Sequence, residues 1–159
     1  MIKNILLSVS GSAETIVAAK YAICLSRLLQ ANLIAVFVID TKVLSELLKT
    51  RIFVEAEARS YEQDLEQQGG MILERIKKMA ESKQVPCETS LLRGAISDEV
   101  IRTAHELPAD ILVLGELREI ASRAETFIDE GERIFRKSPC PVIISKNPAM
   151  VEALYKEIA

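Results

Sequence analysis

Residues 4–39 are NILLSVSGSAETIVAAKYAICLSRLLQANLIAVFVI, and they place one helical segment between two apolar segments. The first apolar segment, residues 4–9, is predicted as a strand that ends at a Ser-Gly-Ser turn, where Ser12 caps the following helix. That helix is expected to bury one stripe at helical spacing: Val17, Tyr21, Cys24, Leu25 and Leu28. Residues 33–39 are wholly apolar and too short for an ordinary helix, so they are predicted as a strand covered on both faces. The three segments predict a parallel βαβ unit.

The rest of the chain continues this alternation. Three further strands are predicted, at residues 87–92, 111–114 and 142–145, and a helical segment precedes each of them. Polar residues alternate along the first of these strands, which is typical of an edge position. The fold class is therefore α/β, with a doubly wound, open, five-stranded parallel sheet and helices on both faces, as in Rossmann-like folds.

Two segments interrupt the pattern. Residues 40–60 are irregular, and a short helix is expected around Leu44, with residues 52–54 packing beneath it. Gly69 and Gly70 lie inside a long helical segment and weaken the expectation that it is continuous, because each glycine costs about 1 kcal/mol relative to alanine.

The composition excludes several function classes. The chain has 159 residues, which suits one domain, and its net charge of −3 includes no large basic block. Neither nucleic acid nor a membrane surface is therefore expected as a partner. No leader peptide or membrane-spanning segment is recognised, so a cytoplasmic location is expected. The three widely spaced cysteines and the single histidine do not form a zinc motif.

The C-terminal residues 147–159 are predicted as an amphipathic helix. Asn147 is a suitable cap and Pro148 suits the first helical position. The apolar stripe consists of Val151, Leu154, Tyr155 and Ile158. A short terminal helix is marginally stable by itself, so it is expected to dock either on its own domain or on a partner.

Three motifs resemble those of the universal stress protein family. Residues 5–12 (ILLSVSGS) are similar to its first strand and turn, residues 109–115 (ADILVLG) to its fourth strand, and residues 136–142 (RKSPCPV) to the approach to its last strand. The resemblance covers residues 1–146, expected to be a universal stress protein-like domain, and leaves 147–159 as an extension. It implies the strand order 3-2-1-4-5 and, in many members, ATP binding at the carboxyl ends of strands 1, 2 and 4.

The family's phosphate-binding signature is largely altered in this sequence. In ATP-binding members it is Gly, two residues, Gly, nine residues and then Gly-Ser or Gly-Thr, which lets backbone N–H groups hold phosphate. Gly115 keeps the first position, whereas Arg118 and the pair Ile128-Asp129 occupy the others. Asp129 would place an anion at a helix start and repel phosphate. Arg118 either binds phosphate through its planar guanidinium or pairs with a neighbouring carboxylate.

The resemblance implies a residual nucleotide pocket. Ser10 stands where ATP-binding members have an aspartate that contacts the nucleoside, and Val38 matches an adenine-contacting position, where an apolar residue equally suits the core. The predicted pocket residues are Ser10, Gly11, Val38, Leu114, Gly115, Arg118 and Asp129.

The predicted function is a stress-response regulatory protein that is neither an enzyme nor a strong ATP binder. The protein is expected to hold no cofactor, and the alternative expectation is that it binds ATP. One alternative function is an ATP- or AMP-binding switch with an altered phosphate cradle. The other is a nucleotide-dependent enzyme, for which no Ser/His/Asp set is assignable, since His105 is expected on the surface. The apolar strand Val142–Ser145 is expected to pair with its copy in a homodimer, as the family commonly does, and protein partners are also expected.

Overall fold

The computed structural model describes residues 1–117 and 130–159. Within these ranges the chain forms five strands: β1 (Asn4–Val9), β2 (Asn32–Asp40), β3 (Cys87–Gly94), β4 (Ile111–Leu114) and β5 (Val142–Ile144). The same ranges contain six helices: α1 (Glu14–Leu29), α2 (Thr41–Lys49), α3 (Glu55–Ser82), α4 (Ile96–Glu106), α5 (Glu130–Lys137) and α6 (Pro148–Glu157). Strands and helices alternate, apart from the extra helix α2 and the terminal helix α6.

The five strands form one parallel sheet in the order β3-β2-β1-β4-β5. The predicted fold class and strand order are therefore confirmed. Leu7 in the central strand β1 lies between Ala35 of β2 and Val113 of β4. All carboxyl ends consequently meet at one edge of the sheet, where open α/β folds place their ligands.

The core has two layers, one on each face of the sheet. Along β1, Ile5 and Leu7 point to one face and pack with α1 and α3, whereas Leu6 points to the other face and packs with α4 and α5. All three β1 side chains are fully buried. This alternation follows from the two-residue period of a strand, and the burial of residues 33–39 confirms that β2 is covered on both faces.

The predicted buried face of α1 is correct at Cys24, which is buried, and in part at Leu25, which packs half-buried against the core, but it is wrong at Leu28. Leu28 is 69% exposed, and the residues that face the core include Ala18, Ala22 and Ile23. Small side chains let α1 approach the sheet closely, whereas the sequence pattern favours the bulkier neighbours. The predicted Ser12 cap is also wrong, because α1 begins at Glu14 and has no side-chain cap.

The irregular segment after β2 contains the expected short helix, α2. Asp40 caps it, since its Oδ1 accepts a hydrogen bond from the Val43 N–H at 3.0 Å. The expectation that residues 52–54 pack beneath α2 is wrong for Ile52 and Val54, which are 64% and 60% exposed. Phe53 is partly buried instead.

The long helix α3 continues through Gly69 and Gly70 without interruption. Gly69 is buried, and a Cβ atom built on it would lie only 2.5 Å from the Phe37 ring and 2.9 Å from Leu91 Cδ1. The absence of a side chain therefore allows α3 to lie directly on β2 and β3. The glycine that weakens the helix locally is required by the packing.

The start of the sheet is held by Asp110. Its Oδ2 accepts hydrogen bonds from the backbone N–H groups of Lys3 at 2.8 Å and Asn4 at 3.0 Å, which join the starts of β1 and β4. These N–H groups hold the pKa of the Asp110 carboxyl below its ordinary value. The aspartate of the ADILVLG motif thus has a structural role.

The terminal helix α6 docks on α1 of its own chain. Asn147 caps it through a hydrogen bond from Met150 N–H, and Pro148 occupies the first turn, both as predicted. Val151 is 1% exposed, and Lys20 of α1 forms an ion pair with Glu152. Lys83 donates to the Ile158 carbonyl at 2.8 Å, so both ends of the segment are attached to the domain.

Among the described residues, no helix has the length and apolar character needed to cross a bilayer.

Candidate functional site

A cleft of about 500 Å³ opens at the carboxyl ends of β1, β2 and β4. Five of the seven predicted pocket residues line it: Ser10, Gly11, Val38, Leu114 and Gly115. The other two, Arg118 and Asp129, lie outside the described residues. The volume is within the usual range for a small-molecule site.

The floor of the cleft is apolar. The strand ends contribute Val9, Phe37, Val38 and Leu114, and Ile96 and Ile134 close it from the starts of α4 and α5. Most of these side chains belong to the two core layers. The floor is therefore a continuation of the core, and it offers contact to an apolar or planar ligand.

The turn between β1 and α1 forms one wall. The Ser10 and Ser12 hydroxyls lie 2.8 Å apart and share a hydrogen bond, while the Ser10 N–H donates to Thr15 Oγ1 at 3.0 Å. Ser12 is thus part of the wall and not a helix cap. A Cβ atom on Gly11 would meet the Gln68 amide at 2.7 Å, so α3 closely covers this turn.

Gly115 has a packing role that is independent of phosphate. A Cβ atom at this position would lie 3.3 Å from the Glu14 carbonyl oxygen at the start of α1. Backbone cannot give way as easily as the end of a flexible side chain. This contact accounts for a glycine at the end of β4 even where the other signature glycines are replaced.

The opposite wall contains a residue that the sequence did not single out, Glu130. Its Oε2 accepts a hydrogen bond from the Ser97 N–H at 3.3 Å, and its Oε1 lies 3.8 Å from Arg133. Because Ser97 is in the first turn of α4, the carboxylate lies at the N-terminus of this helix, where an anion is favoured. The only signal in the sequence was an acidic residue at a helix start.

The sequence also did not indicate Val43 and Tyr61 as site residues. Val43 lies in the irregular segment after β2, and Tyr61 lies in the helix that follows this segment. Both line the cleft on the side of β2. The Tyr61 ring contacts the Phe53 ring edge to face, with a centroid distance of 5.7 Å. No local pattern in the sequence indicates that this aromatic pair lies beside the strand ends.

The described lining of the cleft is acidic. It contains three carboxylate side chains, Asp40, Glu116 and Glu130. No lysine or arginine belongs to this part of the lining. A triphosphate would meet carboxylates without a compensating cation among these residues. Across residues 1–117 and 130–159, no group of three His, Cys, Asp or Glu side chains is arranged to hold a metal ion.

A second depression, of about 650 Å³, runs along the outer surface of α3. Only α3 lines it, between Glu66 and Met79, so it is a furrow on one helix and has no polar groups converging from different elements. The smaller cleft at the strand ends is therefore the better candidate site.

One known protein family matches most of the chain. The sequence model described as "Universal stress protein family" matches residues 1–146. The chain belongs to the universal stress protein family. The match ends directly before α6, and it includes all the described residues that line the cleft.

The chain is similar to a curated universal stress protein, MJ0531 of Methanocaldococcus jannaschii. The two are 27% identical over 146 residues, which are 92% of this chain and 83% of the relative. Among solved structures, the hypothetical protein MJ0577 has a TM-score of 0.73 and 21% identity, with 92% of this chain and 97% of that chain covered.

Two further similar structures contain nucleotides. The universal stress protein from Archaeoglobus fulgidus in complex with dAMP has a TM-score of 0.62 and 17% identity, and covers 92% of this chain and 100% of its own. The family member from Arabidopsis thaliana with AMP bound has a TM-score of 0.64 and 15% identity, and covers 92% of this chain and 98% of its own. At these identities the likeness establishes the shared fold.

Proposed function

We propose that this universal stress protein is a cytoplasmic regulatory protein of the stress response that does not bind ATP strongly. The observation that supports the proposal is the charge of the cleft, whose described lining contains Asp40, Glu116 and Glu130 and no cation. A triphosphate needs cations or free N–H groups, and the Ser97 N–H at the start of α4 already donates to the Glu130 carboxylate.

We also propose that the protein is not an enzyme. His105 lies near the carboxyl end of α4 and is exposed, as predicted. The cleft is at the opposite end of that helix, beside Ile96. A general base has to reach the proton that it removes, so this histidine is badly placed for chemistry in the cleft.

A nucleotide-binding switch is the second candidate. Its support is the pair of similar structures that contain dAMP and AMP. The apolar floor formed by Val38 and Leu114 suits an adenine ring, and a monophosphate carries less charge to the acidic rim than ATP. Arg118, for which the sequence allows a phosphate contact as the alternative to a local ion pair, would then supply the cation.

Calorimetric titration of ATP, with and without magnesium, separates these functions. We expect no measurable heat of binding up to millimolar ATP and no nucleotide in the protein as purified. Micromolar ATP binding that is lost in Arg118→Ala would contradict the proposal and support the switch. Micromolar binding that survives this substitution would contradict the proposal and also exclude Arg118 as the phosphate contact.

We also propose that residues 1–146 form the regulatory domain, that two copies pair through β5, and that protein partners act on the dimer. The edge strand β5 contains Val142, Ile143 and Ile144, with neither proline nor charge among them. An edge without such residues is able to pair with its copy. The helix α6 is an extension that stabilises this domain.

Ile144→Lys is expected to prevent this dimer, because a lysine on an edge strand blocks pairing between sheets. In sedimentation velocity we expect the unmodified protein at about twice its 17.6 kDa and the variant as a monomer. Met71→Lys is the control, because Met71 is 67% exposed on α3. This helix lies on β2 and β3, and β5 forms the opposite edge of the sheet. A dimer that persists in Ile144→Lys would move the interface elsewhere.

A further inference from the structure

One side of the cleft is built to contact a planar ring. Tyr61 lines this side, above a floor that includes Phe37, Val38 and Leu114. The Tyr61 ring is held by its edge-to-face contact with Phe53, with an angle of 61° between the ring planes. An aromatic side chain fixed in this way offers a surface for a heterocycle, since offset stacking and apolar contact both favour such a ligand.

The polar atoms of the cleft suit a ligand rich in hydroxyl groups. Ionised Asp40, Glu116 and Glu130 accept hydrogen bonds and cannot donate them, and the Ser10 and Ser12 hydroxyls do both. Sugar hydroxyls are donors that match carboxylate oxygens. Phosphate oxygens are acceptors with negative charge, and they match none of the three carboxylates.

Glu130 occupies the part of the cleft that would otherwise attract an anion. The backbone N–H of Ser97 donates to its carboxylate, and the residue itself begins α5. The partial positive charge at the start of α4 is therefore directed at an anion that belongs to the protein, and Arg133 of α5 lies 3.8 Å from the same carboxylate. A second anion beside it would be repelled and would find one N–H donor already used.

We propose that the cleft takes an uncharged nucleoside in preference to its phosphates, and that Glu130 is the residue that sets this preference. The ring lies between Tyr61 and the apolar floor, and the sugar hydroxyls donate to the acidic rim. The inference rests on the proposed function, since it names the ligand class of the same cleft. It goes further by assigning the selectivity to one side chain.

Calorimetric titration with adenosine and AMP tests the proposal on the full chain. We expect the unmodified protein to bind adenosine about tenfold more tightly than AMP. Glu130→Gln is expected to strengthen AMP binding by about tenfold and to weaken adenosine binding by no more than about twofold, because the glutamine keeps a carbonyl oxygen as acceptor while it removes the charge and the ion pair with Arg133. Thermal unfolding of the variant checks that it remains folded.

Glu132→Gln is the matched control. It removes the same charge from the same helix, but Glu132 pairs with Arg136 and does not line the cleft. An equal gain of AMP binding in both variants would overturn the role of Glu130, as would no gain in either. AMP binding at least as tight as adenosine in the unmodified protein would overturn the nucleoside preference. If neither ligand bound, the nucleoside preference would also be overturned, whereas the proposal that the protein does not bind ATP strongly would still hold.

Discussion

Val151→Asp is expected to lower the free energy of unfolding by about 2–4 kcal/mol. Val151 is 1% exposed at the contact between α6 and α1, so the substitution places an unpaired carboxylate in an apolar contact. The protein can avoid the full cost of burying a charge by releasing α6. The loss is therefore limited by the free energy with which α6 docks, and urea unfolding measures it.

Ala153→Asp provides the control for this substitution. Ala153 is exposed on the same helix, two residues further along, so the substitution introduces the same charge without burial. We expect a loss of no more than about 0.7 kcal/mol, which reflects the lower helix propensity of aspartate relative to alanine. Limited proteolysis adds a second readout, because release of α6 should make residues 147–159 the first site of cleavage in Val151→Asp. Equal stability of the two variants would show that α6 does not contribute to the fold.

Gly69→Ala is expected to cost about 1–3 kcal/mol, although alanine is the better helix former. The added methyl group would lie 2.5 Å from the Phe37 ring and 2.9 Å from Leu91 Cδ1. Phe37 is buried in the central part of the sheet, so its ring has little room to move. Either α3 shifts away from β2 and β3 or the ring leaves its preferred position, and both lose packing.

Gly70→Ala is the adjacent control, and the sign of its effect is expected to be opposite. No atom lies within 4 Å of a Cβ built on Gly70, and the residue is exposed. Its replacement should stabilise the protein by up to about 1 kcal/mol through helix propensity alone. Thermal unfolding of the two variants compares them directly. Stabilisation by both substitutions would show that α3 is not held as closely to the sheet as the structure indicates.

The two glycines illustrate how far local sequence patterns extend. Each reads as a weak point in a helix, and local propensity cannot distinguish them. Their difference depends on Phe37 and Leu91, which lie more than twenty residues away along the chain. The alanines of α1 show the same limit, since small residues carry little hydrophobic signal although they permit the closest packing. Periodicity selected Leu28 instead, which is exposed.

The residues of the cleft also include some that the sequence predicted and some that it did not. Ser10, Gly11, Val38, Leu114 and Gly115 were predicted because each stands at the end of a strand or in a motif, and parallel strands bring their carboxyl ends together. Tyr61 and Glu130 carry no such signal. Arg118 and Asp129, which the motif comparison selected, lie outside the described residues, so their part in the site remains a prediction.

By itself the sequence determined the order of strands and helices, the parallel sheet, the family and the edge at which the candidate cleft lies. These features follow from local periodicity, short motifs and the handedness of crossover connections. Only the tertiary structure decided which face of α1 is buried, why Gly69 is a glycine, where α6 docks and which carboxylate lies at the start of α4. Each of these depends on a contact between distant residues, such as Glu130 and Ser97, which are 33 positions apart. A pattern that repeats every two or four residues carries no information about such a partner, because the fold alone brings the two together.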